Sequence, residues 1–180
     1  MSKMSRSIVV DASIARSAGD TDHPTSVMCR EFLSSMLKIC HKLVWSDEIR
    51  REWDKHASRY TSSWLVAMQN KRKIIRIAID KDEEQALMTL IEDAEDWPAS
   101  WRKAALKDVL LITAAWEADN LVASADDEVR VLFGRLSANS AMLRRVVWVN
   151  PTSADEETVT WLESGARRSP NRQIGSNSPE

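Results

Sequence analysis

The chain has 180 residues, a length that suits one domain with a substantial core, and its composition of 43% hydrophobic and 29% charged residues is typical of globular proteins. Its formal net charge of −2 gives no sign of a polyanion partner at the level of bulk charge. Two cysteines are too few for a disulfide framework, and no apolar run is long enough to span a membrane. These observations exclude a disulfide-stapled secreted domain and a membrane protein, and they predict a cytoplasmic location with no membrane partner.

Strands alternate with helices in the first half of the chain. The pattern predicts, in order, a buried strand at 6–11, a helix at 26–41, a strand at 42–45, a helix from 46 to about 57 and a long helix at 60–79. Ser46 suits the N-cap of its helix, with Asp47 and Glu48 favourable near the positive end of the helix dipole.

The alternation continues in the second half. The pattern predicts a helix at 82–95, a loop or short turn at 98–103, a helix from about 104–108 to 118, a strand at 121–125, a helix at 127–137 and a strand at 146–149. Ser153 and Glu156 have the spacing of a capping box for a last helix to about 164. Residues 165–180 are polar and rich in Pro, Gly and Ser, and we expect a disordered tail after a single domain at 1–164.

This order of elements predicts an α/β fold. Strands that alternate with helices form βαβ units, which place helices on both faces of a parallel sheet. We expect four to five strands in that sheet. Ligand sites in such folds lie beyond the carboxyl ends of the strands.

Tryptophan is unusually frequent, with eight residues against two phenylalanines and one tyrosine. Trp45, Trp116 and Trp148 lie in apolar runs, which predicts core positions. The other five have more polar neighbours, and some are expected to be exposed where they can stack on bases or on a partner chain. They are Trp53, Trp64, Trp97, Trp101 and Trp161.

Four acids lie where the predicted topology can bring them together. Asp11 directly follows the first strand and Asp126 the third, Glu52 lies two turns into the helix after the second strand, and Asp108 opens the helix that feeds the third strand. Each alone also has an ordinary explanation as a helix cap or a solvated residue. Gathered at one sheet edge, carboxylates repel one another, and the usual remedies are a divalent cation or a raised pKa.

These acids sit in four motifs that follow one another over residues 8–133. The first is Asp11 with Ser13 two residues later, and the second is a glutamate, Glu52, on the helix after the second strand. The third is Asp108 at the start of an Ala-rich apolar helix, and the fourth is Ser124-Ala125-Asp126 after a strand. This ordered set resembles the PIN-domain family, which includes the toxin-like ribonucleases.

The resemblance implies a PIN-like three-layer α/β/α fold and a metal-dependent endoribonuclease that hydrolyses phosphodiester bonds of single-stranded RNA. It implies that Mg²⁺ or Mn²⁺ is held by four catalytic acids, which are Asp11, Glu52, Asp108 and Asp126. Ser13, Ser124 and Asp127 would surround them. Asp127 adjoins Asp126 and either can be the fourth acid, although the Ser-x-Asp spacing favours Asp126.

RNA contact requires cations around the acids, each of which would add a salt-sensitive phosphate contact. The candidates are Arg16, Lys55, Arg59, Lys71, Arg72 and Lys73. An ordinary solvated helix face is the alternative explanation for each of them. The resemblance also implies, as partners, an antitoxin protein that blocks the acids and a second copy of the chain in a homodimer.

Two other functions are consistent with the same sequence. One is a catalytically silent PIN-like scaffold that binds protein or RNA. The other is a Mg²⁺-dependent phosphatase or phosphotransferase, a class that generally uses Asp-x-Asp after the first strand, where this chain has Ser13 at the second position. With four glycines and no Gly-rich phosphate loop, the sequence argues against ATP or GTP binding.

Overall fold

A computed structural model describes residues 4–176. Within this range five parallel strands form one sheet with the order β3-β2-β1-β4-β5. The strands are β1 (Ser7–Val10), β2 (Lys42–Trp45), β3 (Ile74–Arg76), β4 (Leu121–Ala123) and β5 (Val147–Val149). The predicted parallel sheet of four to five strands is confirmed.

Helices connect these strands and cover the sheet. In chain order they are α1 (Ala12–Ser17), α2 (Pro24–Lys38), α3 (Asp47–His56), α4 (Arg59–Asn70), α5 (Lys81–Glu92), α6 (Ala99–Lys107), α7 (Val109–Trp116), α8 (Asp127–Leu136), α9 (Ala141–Arg144) and α10 (Thr158–Glu163). Over residues 4–176, none of the helices combines the length and the apolar character needed to cross a bilayer.

The sheet is buried on both faces. Ile8, Val9 and Val10 are all fully buried, and so are the three residues of β4 and of β5. Since successive side chains of a strand point to opposite faces, complete burial means that helices cover both sides. The three-layer α/β/α architecture is therefore confirmed.

The centre of the sheet is the pair formed by β1 and β4. Val10 is in register with Ala123, and the N–H of Asp11 donates to the carbonyl of Ala123 at 2.9 Å. From this pair the chain builds outward in opposite directions, to β2 and β3 on one side and to β5 on the other. This is the topological switch point of the sheet, where α/β folds form a crevice at the carboxyl edge.

The predicted helix at 60–79 is wrong in its second half. The helix ends at Asn70, Arg72 adopts a left-handed backbone conformation with φ 57°, and the chain then enters β3. Ile74 and Ile75 are β-branched and pair with β2, which a strand of only three residues does not reveal as a periodic pattern.

The loop predicted at 98–103 is also wrong. Pro98 stands at the N-cap of α6, whose helix begins at Ala99. The helix predicted to follow is interrupted at Asp108, which has φ −106° and ψ 10° and separates α6 from α7. Proline fixes φ near the helical value, so it starts a helix as readily as it ends one.

The predicted capping box of Ser153 and Glu156 does not form. Ser153 makes no side-chain cap bond, and a short 3₁₀ turn at Ala154–Glu156 precedes α10. The Glu156 carboxylate instead accepts from Arg130 at 2.6 Å and from the N–H of Asn150 at 2.9 Å. The ion pair with Arg130 of α8 therefore takes the place of the predicted capping bond.

The disordered tail predicted for 165–180 is wrong for residues 165–176. This segment contains a 3₁₀ turn at Pro170–Arg172, and Gln173 forms an antiparallel bridge with Val147. Ile174 is 2% exposed and donates its N–H to the carbonyl of Val146 at 2.8 Å. One buried apolar residue anchors an otherwise polar segment, a signal that composition does not show. Residues 177–180 of the predicted tail lie outside the described residues.

The five tryptophans with polar neighbours divide into two groups. Trp53, Trp64 and Trp161 are buried, so base stacking is excluded for them. Trp97 is partly buried, and Trp101 is 36% exposed. Trp101 is therefore the tryptophan of this group that fits the prediction of an exposed ring.

Candidate active site

Asp11 lies at the carboxyl end of β1 with its side chain held by two serines. The hydroxyl groups of Ser13 and Ser124 both donate to Oδ2 of Asp11, the latter at 2.8 Å. Asp11 stands at the N-cap of α1 but makes no side-chain cap bond. Because both hydroxyls use Oδ2, the orientation of the carboxylate is fixed while Oδ1 stays available to a ligand.

The same serines join the segments that follow β1 and β4. Ser124 is fully buried, and its Oγ accepts from the N–H of Asp126 at 3.1 Å. Oγ of Ser13 accepts from the N–H of Ala125 at 3.4 Å. The first and fourth motifs of the sequence therefore form one connected network at the switch point.

Asp126 has a second role as a helix cap. Its Oδ1 accepts from the N–H of Val129 at 3.0 Å, which makes it the N-cap of α8. The cap occupies one of its two carboxylate oxygens. The bond to Ser124 holds the backbone of Asp126 next to Asp11.

Glu52 is positioned by the buried tryptophan beside it. The indole N–H of Trp53 donates to the carbonyl of Val10 at 2.9 Å, which ties the middle of α3 to the end of β1. The ring of Trp53 also packs against Trp45 in an edge-to-face contact with centroids 5.2 Å apart. Glu52 itself forms an ion pair with Lys55, with Oε1 and Nζ 2.8 Å apart.

Asp108 is the most buried of the four acids, with 9% of its surface exposed. It lies between α6 and α7, and its carboxylate makes no cap bond to either helix. A first-turn acid stabilised by the helix dipole is therefore an inadequate explanation of this residue. Its carboxylate faces a cleft instead.

This cleft has a volume of about 250 Å³ and brings three of the four predicted acids together. Asp11, Glu52 and Asp108 line it, with Trp53 and apolar residues of α7 in the wall. Asp126 is not one of the lining residues, but its charge acts on Asp108. Three of the four predicted acids therefore line one cleft, and the fourth lies close enough for its charge to act on Asp108.

Sequence reasoning missed three further charged residues of the cleft. They are Glu48, Arg51 and Lys107. Glu48 precedes Glu52 by one helical turn, and the two cations each directly precede a predicted acid in the sequence, so helical spacing and adjacency were signals that could have found them. The acids outnumber the cations, and the cleft is negatively charged.

The pKa of Asp108 is raised from 3.8 to about 7. Burial is the main cause, followed by the negative charge of Asp11; Asp126 and Glu52 add to it, and the ammonium group of Lys107 opposes it. The three acids that raise this pKa are the other members of the predicted quartet. The ammonium group of Lys107 offsets only part of their repulsion, because the pKa of Asp108 stays well above its ordinary value.

The donor set of the cleft fits a hard divalent cation. Its ligands would be carboxylate oxygens, which Mg²⁺ and Mn²⁺ prefer, and neither histidine nor cysteine lines it. Among residues 4–176, no three His, Cys, Asp or Glu side chains are arranged to hold a metal ion as they stand. Glu52 is turned toward Lys55, but an exposed pair of this kind contributes only about 0.2–1 kcal/mol. Release of Glu52 to a cation therefore costs little.

Asp127 lies on a different side of α8 from the acid cluster. Its Oδ2 accepts from the amide of Asn150 at 2.8 Å, and it lines a separate cavity of about 200 Å³ with Arg130 and Glu156. Its charge is not among those that shift the pKa of Asp108, whereas that of Asp126 is. This placement favours Asp126 as the fourth acid.

Part of the predicted RNA-binding set is wrong. Lys73 is buried, and its ammonium group donates to the carbonyls of Met36, Leu37 and Ile39 at the end of α2. Lys71 and Arg72 are exposed, but they precede β3 and lie at the amino edge of the sheet, opposite the acids. Phosphate contacts near the cleft cannot come from this stretch.

The other predicted cations lie on helices at the carboxyl edge. Arg16 and Arg59 are exposed, on α1 and at the start of α4, and Lys55 is exposed on α3. None of the three lines the cleft, which is bordered by Arg51 and Lys107 instead.

Comparison of the chain with protein-family models, with curated proteins and with solved structures found no match.

Proposed function

We propose that the protein is a Mg²⁺- or Mn²⁺-dependent endoribonuclease of PIN type that hydrolyses phosphodiester bonds of single-stranded RNA. The observation that carries this proposal is Asp108. Its carboxyl group is buried at a cleft without a capping bond, and burial together with three acids from separate segments raises its pKa to about 7. Strongly perturbed pKa values cluster at functional sites, where burial and neighbouring like charges produce them.

The residues of the cleft have distinct roles in this proposal. Asp11, Glu52, Asp108 and Asp126 would hold the cation, which when bound supplies charge stabilisation to a phosphodiester and acidifies a bound water. Ser13 and Ser124 hold Asp11 in a fixed orientation through Oδ2. Arg51 and Lys107 line the cleft and would attract phosphate oxygens of the RNA backbone.

The phosphotransferase alternative is less well supported by the same contacts. That class needs a second carboxylate two residues after the first. Here Ser13 occupies the position, and its hydroxyl is used to orient Asp11. Asp126, which follows β4, lies in a different loop from Asp11 and caps α8 through Oδ1.

Replacement of Asp11 by Asn tests the proposed nuclease. The change keeps the size of the side chain but removes the negative charge, so Mn²⁺-dependent cleavage of single-stranded RNA should fall by roughly a hundredfold or more. Asp54→Asn is the matched control, since Asp54 is an exposed acid of α3 that pairs with Arg50 and does not line the cleft. Cleavage is measured on a labelled, unstructured oligoribonucleotide, with circular dichroism as the check on folding.

Thermal melting gives a second readout that does not depend on activity. Mg²⁺ or Mn²⁺ should raise the melting temperature of the wild-type protein and of Asp54→Asn, and raise it less in Asp11→Asn, because a bound cation relieves the repulsion among the acids. Full cleavage by Asp11→Asn would remove this residue from the mechanism. Metal-induced stabilisation and RNA binding without any cleavage would favour the catalytically silent scaffold.

A further inference from the structure

Helix α6 is a basic element that ends at the acid cluster. It carries Arg102, Lys103 and Lys107 and no acid, and the residue that follows it is Asp108. Lys103 and Lys107 are both exposed and lie one turn apart. Like charges at this spacing destabilise a helix slightly, and an anionic partner would relieve the repulsion.

The exposed tryptophan of the chain lies on the same helix. Trp101 is 36% exposed, and its ring contacts Trp97 edge-to-face, with centroids 6.1 Å apart. The guanidinium of Arg135, from α8, lies over the ring of Trp101 at 4.9 Å from its centroid. A guanidinium over an indole ring places a cation and an aromatic surface together at the surface of the protein.

The two helices connect this unit to the cleft. Helix α6 reaches the acids with its C-terminal end, and α8 leaves them at its N-terminal end, so Trp101 and Arg135 lie at the far ends of two neighbouring helices. Trp101 precedes Lys107 by six residues, which is about 9 Å along a helix axis. A single-stranded RNA that leaves the cleft past Lys107 can therefore reach the ring of Trp101 within a short distance.

We propose that Trp101, Lys103, Lys107 and Arg135, here called the α6–α8 platform, bind the RNA strand next to the bond that is cut. One base stacks on the Trp101–Arg135 unit, and the phosphates that lead to it contact Lys103 and Lys107. Cations combined with an exposed aromatic ring are the usual surface for single-stranded nucleic acid, whereas a protein partner of this surface would have to present acids. The inference rests on the proposed nuclease activity and extends it to the path of the substrate.

The experiment uses the full chain and a ladder of labelled oligouridylates lengthened one nucleotide at a time from either end. Binding is measured by fluorescence anisotropy in EDTA, so that no cleavage occurs. Wild-type affinity should rise at one length, when a base reaches Trp101. Trp101→Ala should lose this rise and bind the longer oligomers roughly tenfold more weakly, whereas Trp101→Phe should keep most of it. Val66→Ala, an exposed apolar residue on α4, is the control.

The phosphate contacts have a separate signature. Lys103→Gln should reduce the slope of log affinity against log salt concentration by about 0.7 without changing the length at which affinity rises. Lys103 is exposed, so this variant stays informative if Trp101→Ala does not fold.

The outcomes separate the platform from the nuclease. If wild-type protein cleaves RNA with Mn²⁺ while Trp101→Ala and Lys103→Gln bind every oligomer as the wild type does, the platform is overturned and the nuclease stands. If the wild type shows the Trp101-dependent rise but does not cleave, the platform stands as a surface for single-stranded RNA, but its place beside a cleaved bond and the nuclease itself are overturned. Absence of both binding and cleavage overturns both.

Discussion

Asp108 has an energetic consequence that can be measured without a substrate. Its pKa in the folded protein, about 7, is above its ordinary value of 3.8, so the folded state binds this proton more tightly than the unfolded state does. The contribution to stability is then fully present below about pH 4 and is lost as the pH rises toward 7. In the metal-free protein at pH 8, an ionised Asp108 lowers the free energy of unfolding by on the order of 3–4 kcal/mol.

Asp108→Asn should therefore stabilise the metal-free protein at pH 8 and have little effect near pH 4. The amide keeps the shape of the carboxyl group but carries no charge, so the repulsion from Asp11 and its neighbours disappears. The measurement is the difference in free energy of unfolding between variant and wild type, from urea titrations in EDTA across this pH range. A difference that does not change with pH would contradict the raised pKa.

The variant must be compared with the wild type at each pH because His41 changes stability with pH in the opposite direction. Burial lowers the pKa of His41, and the charges of Lys73 and Arg6 lower it further. The imidazole Nδ1 accepts from the N–H of Arg6 at 3.2 Å, and Nε2 lies 2.8 Å from the carbonyl of Leu162. Stability from this group is present above about pH 6.5 and is lost as the pH falls below it. Both proteins contain His41, so its contribution cancels in the comparison.

At the level of single residues, the sequence predicted where a residue lies relative to the strands better than it predicted whether its side chain is buried or exposed. Asp11 and Asp126 follow neighbouring strands, and topology alone brings such residues together. Lys73 belongs to a basic run of the sequence but is buried, because its stem and ammonium group fill the space at the end of α2. Whether a lysine meets solvent or a set of carbonyls depends on contacts between distant elements, which no local pattern records.

At the level of elements, Lys73 serves as a cap for α2. The last carbonyls of a helix lack partners within the helix, and a cation at that end also suits the helix dipole. Lys73 donates to three of them or their immediate neighbours, at 3.0 Å in the case of Leu37. It thereby ties the turn before β3 to the end of α2.

Lys73→Met should destabilise the protein by about 2–3 kcal/mol, because the carbonyls lose a charged donor while the apolar stem is retained. Lys71→Met is the matched control at an exposed position two residues away and should change stability by less than about 0.5 kcal/mol. Chemical denaturation measures both. Neither variant should alter RNA cleavage by the folded protein, since both residues lie at the amino edge of the sheet. A loss of cleavage in Lys71→Met would show that the basic residues at 71–73 contact the RNA after all.

The elements that sequence patterns predicted well are those with a repeated apolar spacing. Strand β2 has the limits that were predicted, and helix α5 begins one residue and ends three residues before its predicted limits. Strand β3 was missed because its two isoleucines follow a helical pattern without a proline or glycine to separate them. The turn at Arg72, with φ 57°, separates α4 from β3, and an arginine at this position gives no sequence signal for a left-handed backbone conformation.

At the level of the whole molecule, the segment 165–176 closes the edge of the sheet. Strand β5 is an edge strand, and edge strands with unpaired backbone groups invite association between chains. Here Gln173 and Ile174 pair with the start of β5, and Arg172 fixes the segment through an ion pair with Glu156 at 3.5 Å. A segment that composition assigns to disorder is therefore part of the folded domain.

Ile174→Ala should cost about 2–4 kcal/mol, as for other fully buried aliphatic side chains, and should also free the edge of β5. We expect a lower melting temperature together with light scattering that begins at a lower temperature than in wild type. Val66→Ala removes the same kind of atoms from an exposed position and should change neither measurement. Because the N–H of Ile174 bonds to Val146 at the amino end of β5, whereas the acids lie at the carboxyl edge of the sheet, the variant should cleave RNA normally below its melting temperature. If Ile174→Ala melts and scatters light as the wild type does, the segment does not hold the edge of the sheet in solution, and the domain ends near residue 164 as its composition suggests.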